Sequence, residues 1–340
     1  MTDEAPIIFC HYGVSPYLQY SLACAKLNCP NKEVILLGDE ANRPLAEKLG
    51  VLHHAFSEYD CGSLLDEFDA VYKEVRGSEN KSPSHWINFV FRRWFFVANF
   101  IEQQDIHRFW HFDSDTMIVD DLASHEHKFD NCDCTEQCGS GCLNGFITNQ
   151  QAVLGYVRKV NELFQRPDYL EAQRERYDRE NPLCAFTEMD AYATYRDEND
   201  ISSVWLGKPI EGSIFDDCIC QEHGMEMEHL KSRHRVKKIF LGTDGRFFCV
   251  DDASKELVQI NTLNLSWVPL CTFKNVLNHS RKRKPGHTTE PVVANMRRLS
   301  DMPMPWRLVL RGRSRKARYA LKSILGRVTG KKAKSATAIH

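Results

Sequence analysis

The sequence predicts an α/β fold, a doubly wound and mostly parallel sheet flanked by helices. Three observations carry that expectation. Continuous apolar runs that end in turn residues, PIIFCHYG (6–13) and KEVILLGD (32–39), read as strands buried on both faces. Helical patterns alternate with them, which implies right-handed crossovers between parallel strands. The motifs that end the runs, His-Tyr-Gly, Gly-Asp and Asp-Ser-Asp, all fall at strand carboxyl ends. Ligands of such sheets bind there, so the three should converge on one crevice.

Taken in order, Pro16 opens a helix through YLQYSLACAKLN, with Tyr17, Leu18, Ser21, Leu22 and Ala25 at helical spacing. ANRPLAEKLG is a short helix that Gly50 ends. Residues 85–104 are strongly apolar and too long for a strand, so they read as a buried helix, and RFWHFDSD follows as a strand running into acidic residues. The stretch 151–200 is polar and helix-forming. FLGTDGRFFCVDD is a hairpin signal around Asp244-Gly245.

The length, 340 residues, and a composition 42% hydrophobic and 26% charged fit a globular chain and exclude long disorder or a small disulfide-stapled fold. No run approaches the roughly 18 apolar residues that span a bilayer. The start MTDEAP has neither a basic nor an apolar signal region, so the expected location is the cytoplasm. Thirteen cysteines, an odd number, fit a reducing compartment. The net charge of −2 hides an asymmetry: residues 281–340 hold 17 Lys and Arg against Glu290 and Asp301. That segment is +15 and the first 280 residues are −17. Within 306–334 eleven basic residues flank a stripe of Leu310, Ala317, Leu321, Ile324 and Val328. This is the profile of a helix lying on an anionic membrane surface. No nucleic-acid motif is present, and no nucleic acid is expected as a partner.

The chemistry concentrates in His111-Phe-Asp113-Ser-Asp115. Side chains two apart on extended chain point to one side, and paired carboxylates at a strand end suit Mg²⁺ or Mn²⁺ with positions left for phosphate oxygens. Cys132, Cys134, Cys138 and Cys142 form a second cluster, whose spacing departs from the paired pattern of zinc ribbons; reduced thiols or an opportunistic disulfide are the expectation, with a structural zinc as the alternative.

With these motifs in place, the chain resembles the GT-A-fold glycosyltransferases with an Asp-x-Asp motif, particularly bacterial enzymes that build surface polysaccharides from nucleotide sugars. The resemblance runs over most of residues 6–285. It is carried by IIFCHYG through VILLGDEANR, by FVFRRWFFVANFIEQQDIHRFWHFDSDTMI, by GCLNGFITNQQAV, by FTEMDAY, by IFDDCI and by IFLGTDGRFFCVDDASKELVQINTLN. It implies a GT-A-like domain over 1–285, with a nucleotide- and metal-binding half (1–122), an acceptor-side half (123–285) and a basic amphipathic tail (286–340).

It also implies roles. Asp113 and Asp115 would hold Mn²⁺ or Mg²⁺; His11, Tyr12, Gly13 and Asp39 would border the nucleotide; Arg93 would point into the donor site and pair with phosphate or an Asp. The family's late metal histidine would fall at Asn264; His279 is the nearby substitute, with Lys282 or Lys284 beside the diphosphate. FTEMDAY offers Glu188 and Asp190 as the base that takes the acceptor hydroxyl's proton. On a helix only one of the two can face the site. The implied activity is transfer of a sugar from a nucleoside diphosphate sugar, UDP-linked, to a saccharide or lipid-linked saccharide. The alternatives are a sugar-phosphate nucleotidyltransferase, against which the single glycine of HYGVSPY counts, and a basic-tailed adaptor for membrane or nucleic acid, which leaves the Asp113/Asp115 strand unexplained.

Overall fold

A computed structural model describes residues 4–139, 141–283, 291 and 293–310. The fold is α/β, with a mostly parallel central sheet flanked by helices on both faces. The first half of the chain lays down β1 (Ile7–His11), α1 (Leu18–Asn28), β2 (Val34–Gly38), α2 (Arg43–Leu49), β3 (Leu52–Ala55), α3 (Ser63–Val71), α4 (Ser84–Gln103), β4 (Phe109–Asp113) and β5 (Thr116–Ile118). There follow β6 (Cys134–Gln137), β7 (Cys142–Ile147), α5 (Gln151–Phe164), α6 (Pro167–Glu180), α7 (Glu188–Glu198), β8 (Ser203–Trp205) and β9 (Ser213–Phe215). The remainder is β10 (Met227–His229), β11 (Arg235–Lys237), β12 (Phe240–Leu241), β13 (Phe247–Val250), β14 (Leu257–Asn264), α8 (Leu270–Ser280) and β15 (Arg297–Arg298).

The central sheet runs β3-β2-β1-β4-β7-β6-β8. Strands β3, β2, β1 and β4 are parallel, as the alternation of apolar runs and helices requires, with Ile7 opposite both Val34 and Trp110. The next two pairings, β4 with β7 and β7 with β6, are antiparallel. Because both faces are covered, alternate residues of one strand enter different cores. Ile8 and Cys10 pack with α3, α4, α5 and α7, while Ile7 and Phe9 pack with α1 and α2.

The sequence predicts one sheet, and the structure has a second. Its order is β15-β12-β13-β14-β5, with β9 alongside β14. The hairpin at Asp244-Gly245 forms β12 and β13. The chain leaves the central sheet after Asp113 and enters the second at Thr116, where β5 pairs with β14. Helix α1 lies between the layers and contributes to both cores, Leu22 to one and Cys24 to the other. Strands from both sides of residue 122 share each sheet.

Gly145 shows how tightly β7 is set against its neighbours. Its φ is +98°, and a Cβ there would collide with Thr135 and Leu206. Only glycine adopts that conformation without strain, and here it also supplies the missing volume. Among the described residues no helix is long and apolar enough to cross a membrane. Most of the predicted basic tail, from Arg311 onward, lies outside the described residues.

Candidate functional site

The carboxyl ends of β1, β2 and β4 do converge. The His11 ring, buried at the end of β1, meets Ser114 Oγ at 2.7 Å through Nδ1, which ties β1 to the turn between the two aspartates. Burial pushes its pKa down to about 4, so the imidazole is neutral. Gly13, at φ +73°, donates its N–H to the Asp39 carboxylate, and its carbonyl accepts from Asn42 at 3.0 Å. Tyr12 is half exposed beside them and packs on Phe89 at 4.6 Å between ring centres. Thus His11, Tyr12, Gly13 and Asp39 form one rim of the crevice.

Helix α4 runs back toward the start of β4, so its first turns stand over the strand's carboxyl end. From the middle of the helix Arg93 reaches two acids, Asp113 Oδ1 at 2.7 Å and Glu188 Oε1 at 3.1 Å. Burial opposes charge on the guanidinium, but Asp113 and Glu188 more than offset it and its pKa is raised. Burial likewise works against Asp113, yet Arg93 holds that carboxyl below its usual value. Asn144, from the GCLNGF segment, accepts from His111 Nδ1 at 2.9 Å and points its amide toward Asp113 at 3.5 Å. This orients His111, which burial keeps neutral with a pKa near 4.

Asp115 is placed differently. Its Oδ2 lies 2.7 Å from Ser266 Oγ, and its Oδ1 is buried with no hydrogen-bond partner. Burial first, and the charge of Asp113 second, push its pKa up to about 6. Asn264, the position of the expected metal histidine, supports Ser266 through Oδ1. The backbone N–H of Asn264 is held by Asp216, itself paired with buried Lys237 at 2.6 Å.

These residues fit a divalent cation. An unpartnered buried carboxylate oxygen is costly without hydrogen bonds or a cation, and hard oxygen donors match Mg²⁺ or Mn²⁺. Asp115 and Asp113 would hold it. Among the described residues no group of three or more His, Cys, Asp or Glu forms a metal site, so the other ligands would come from elsewhere.

The structure does not bring His279 or Lys282 to this place. His279 is buried at the end of α8, its Nε2 against the Arg246 carbonyl at 3.3 Å and its ring edge-on to Phe247. Phe247 lies opposite Ile260, whereas Asp115 accepts from Leu265, five residues onward. At about 3.3 Å per residue that is ~16 Å along the chain. The exposed Lys282 follows His279 and packs beside Gly245. Lys284 lies outside the described residues. Both misplacements have one cause: α8 carries its last turn away from the crevice, toward the β12–β13 turn.

The two acids of FTEMDAY separate as helical geometry requires. Glu188, the first residue of α7, faces Arg93, and burial pushes its pKa up to about 7 against the pull of the guanidinium. Asp190 closes a capping box with Thr187 and binds Arg176 and Tyr177, away from the crevice. Among the four clustered cysteines, Cys132 donates to the Phe129 carbonyl at 3.3 Å and Cys134 meets Tyr192 at 3.4 Å; all thirteen thiols are free.

Three supporting residues carry no functional signal in the sequence. Ser114 and Asn144 lie inside the Asp-Ser-Asp and GCLNGF motifs, and only the β4–β7 pairing gives Asn144 its role. Ser266 carried no local signal.

No family model and no curated protein sequence matches the chain. Among solved structures, mouse xyloside xylosyltransferase 1 in its apo form is similar at a TM-score of 0.41 and 11% identity, over 59% of this chain and 84% of that one. The glycosyltransferase GlyE of Streptococcus pneumoniae TIGR4 is similar at a TM-score of 0.32 and 10% identity, over 60% of this chain and 45% of that one. The apo form of GlyE gives a TM-score of 0.30 at 12% identity, over 59% and 45%.

Proposed function

We propose that the chain is a metal-dependent glycosyltransferase, moving a sugar from a UDP-linked donor to a saccharide or lipid-linked saccharide acceptor. The observation that carries this reading is a single guanidinium, Arg93, joining Asp113 to Glu188 beside the unpartnered oxygen of Asp115. It supplies two separate carboxylate environments within one crevice at the ends of parallel strands. One pair suits a cation, and one acid has its pKa near neutrality. The sequence resemblance supports the same assignment.

In this reading Asp113 and Asp115 hold Mn²⁺ or Mg²⁺, which when bound neutralises charge developing on the diphosphate. Tyr12, Gly13 and Asp39 border the nucleotide, with His11 bracing the strand end beneath. Glu188 accepts the proton of the attacking hydroxyl, a role that suits a carboxyl tuned close to pH 7. Arg93 orients Glu188 and keeps the negative charges of the crevice apart. The basic segment 306–334 would hold the enzyme on anionic lipid on the cytoplasmic face, where a lipid-linked acceptor resides.

The decisive experiment is thermal denaturation with UDP, GDP and CDP, each with and without Mn²⁺. Stabilisation by a nucleotide that depends on the metal is the expected outcome. If no nucleotide stabilises the protein in either condition, the reading fails.

A further inference from the structure

Trp267 follows Ser266, the residue that meets Asp115, and the fold does not account for its conformation. Its backbone lies at φ +63°, the largest side chain at positive φ among the described residues. The N–H of Val268 bonds the Leu265 carbonyl at 3.4 Å, closing a four-residue turn with Trp267 third, the position that favours glycine. A bulky residue there is strained, and strain of this kind persists where it serves a purpose. Burial of the indole does not compensate, because Trp267 is 59% exposed. Among the described residues it makes no ring contact, and its indole nitrogen no hydrogen bond. A strained backbone and an unpartnered apolar face therefore coincide one residue from the candidate cation site.

We propose that Trp267 is the stacking platform for the sugar ring of the donor, an inference that rests on the glycosyl-transfer reading. A pyranose has an apolar face of C–H bonds and an edge of hydroxyls. The indole offers the first a flat surface, and the Ser266 hydroxyl and Asp115 carboxylate offer the second acceptors close by. Position decides which part of the donor lies here. The rim of Tyr12, Gly13 and Asp39 is on the β1–β2 side of the aspartates. Trp267 extends from Asp115 on the β14 side. With the diphosphate at Asp113 and Asp115 and the nucleobase on the β1–β2 rim, the group left for the β14 side is the sugar bonded to the terminal phosphate.

The test compares wild type, Trp267→Gly and Trp267→Phe. Calorimetric titrations with Mn²⁺ use UDP, GDP and CDP and the glucose-linked form of each, and melting temperatures are recorded without ligand. Glycine relieves the turn, so Trp267→Gly is expected to melt at the same temperature or higher. Its affinity for the sugar-linked form that wild type binds should fall about tenfold, while affinity for the parent diphosphate stays within about twofold. Trp267→Phe should keep most of the sugar-dependent affinity. Equal losses for diphosphate and sugar-linked form, or no loss for either, overturn the assignment while leaving the transferase reading intact. Wild type that binds none of the six ligands instead refutes the reading itself, and the assignment with it.

Discussion

Ser266 Oγ stands 2.7 Å from Asp115 Oδ2, although 151 residues separate the two in sequence. The same hydroxyl is 2.6 Å from Asn264 Oδ1, an oxygen already accepting the Ser266 N–H. A hydroxyl has one proton to give. Both contacts are satisfied when Asp115 is protonated and donates to Ser266, which donates in turn to Asn264. Burial and the charge of Asp113 push Asp115 toward that protonated form, against the pull of the Ser266 hydroxyl on the ionised one.

Proton and cation should therefore compete for Asp115. Mn²⁺-dependent nucleotide binding is expected to weaken as pH falls through about 6, and to be fully present above about 7. Asp115→Asn keeps a donor toward Ser266, so its melting temperature without ligand should match or exceed that of wild type. Its metal-dependent stabilisation by nucleotide should vanish. Melting curves at pH 5.5 and 7.5, with and without Mn²⁺ and UDP, measure both effects.

Replacing Arg93 by Met leaves Asp113 and Glu188 facing one another in a largely buried site. Removing one partner of a buried ion pair typically costs about 3–5 kcal/mol, and urea denaturation should show a loss of that order. Arg93→Lys restores the charge without the fork that reaches both acids, so it should recover only part of the stability.

Glu188 gives a pH signature of opposite sign in activity and stability. Its folded pKa, raised to about 7, means that the base form accumulates only as pH rises through that value. Transfer should have an acid limb there, and Glu188→Gln should cost ~10²–10⁴ in rate. For folding, the raised pKa contributes stability present below the ordinary carboxylate pKa and lost as pH climbs through about 7. Glu188→Gln should flatten that part of the stability profile.

Gly145→Ala tests the packing of β7 on β6. The methyl meets Thr135 and Leu206, and φ +98° is unfavourable for alanine. A loss of about 2 kcal/mol or more is expected in chemical denaturation. Because Gly145 pairs with His111 and adjoins Asn144, nucleotide binding should weaken as well.

Truncation after Leu310 should abolish sedimentation with anionic vesicles at low salt and spare turnover on a soluble acceptor. The cut falls later than the charge pattern alone suggests. The Pro303 carbonyl accepts from Asn275 at 3.0 Å, and Met304 packs on the second core. RNA binding in place of vesicle binding by the intact chain would refute the membrane role.

What the sequence revealed and what it hid follow from the range of the interactions. Apolar runs ending at His11, Gly38 and Asp113 announce strands buried on both faces, and helical geometry alone separates Glu188 from Asp190. The second sheet is built largely of two- and three-residue strands, too short for an alternating pattern to register. Ser266 could not be found from its neighbours, since it acquires its role only when β5 pairs with β14. The same pairing explains the histidine. Resemblance along the chain pointed to His279, but α8 turns it toward Arg246.

Asp113 ends a strand of one sheet, and Thr116, directly after Asp115, begins a strand of the other. The spacing of the two carboxylates is therefore a gauge of how the layers sit against each other. A ligand that fixes that spacing adds a clamp between two layers already joined by α1, by side-chain packing and by hydrogen bonds such as Gln137 to the Asp216 carbonyl. Occupancy at the motif should slow amide exchange in β14 and α8, well beyond the residues that touch the ligand. The short Asp-Ser-Asp turn is then the seam of the molecule as well as its chemistry.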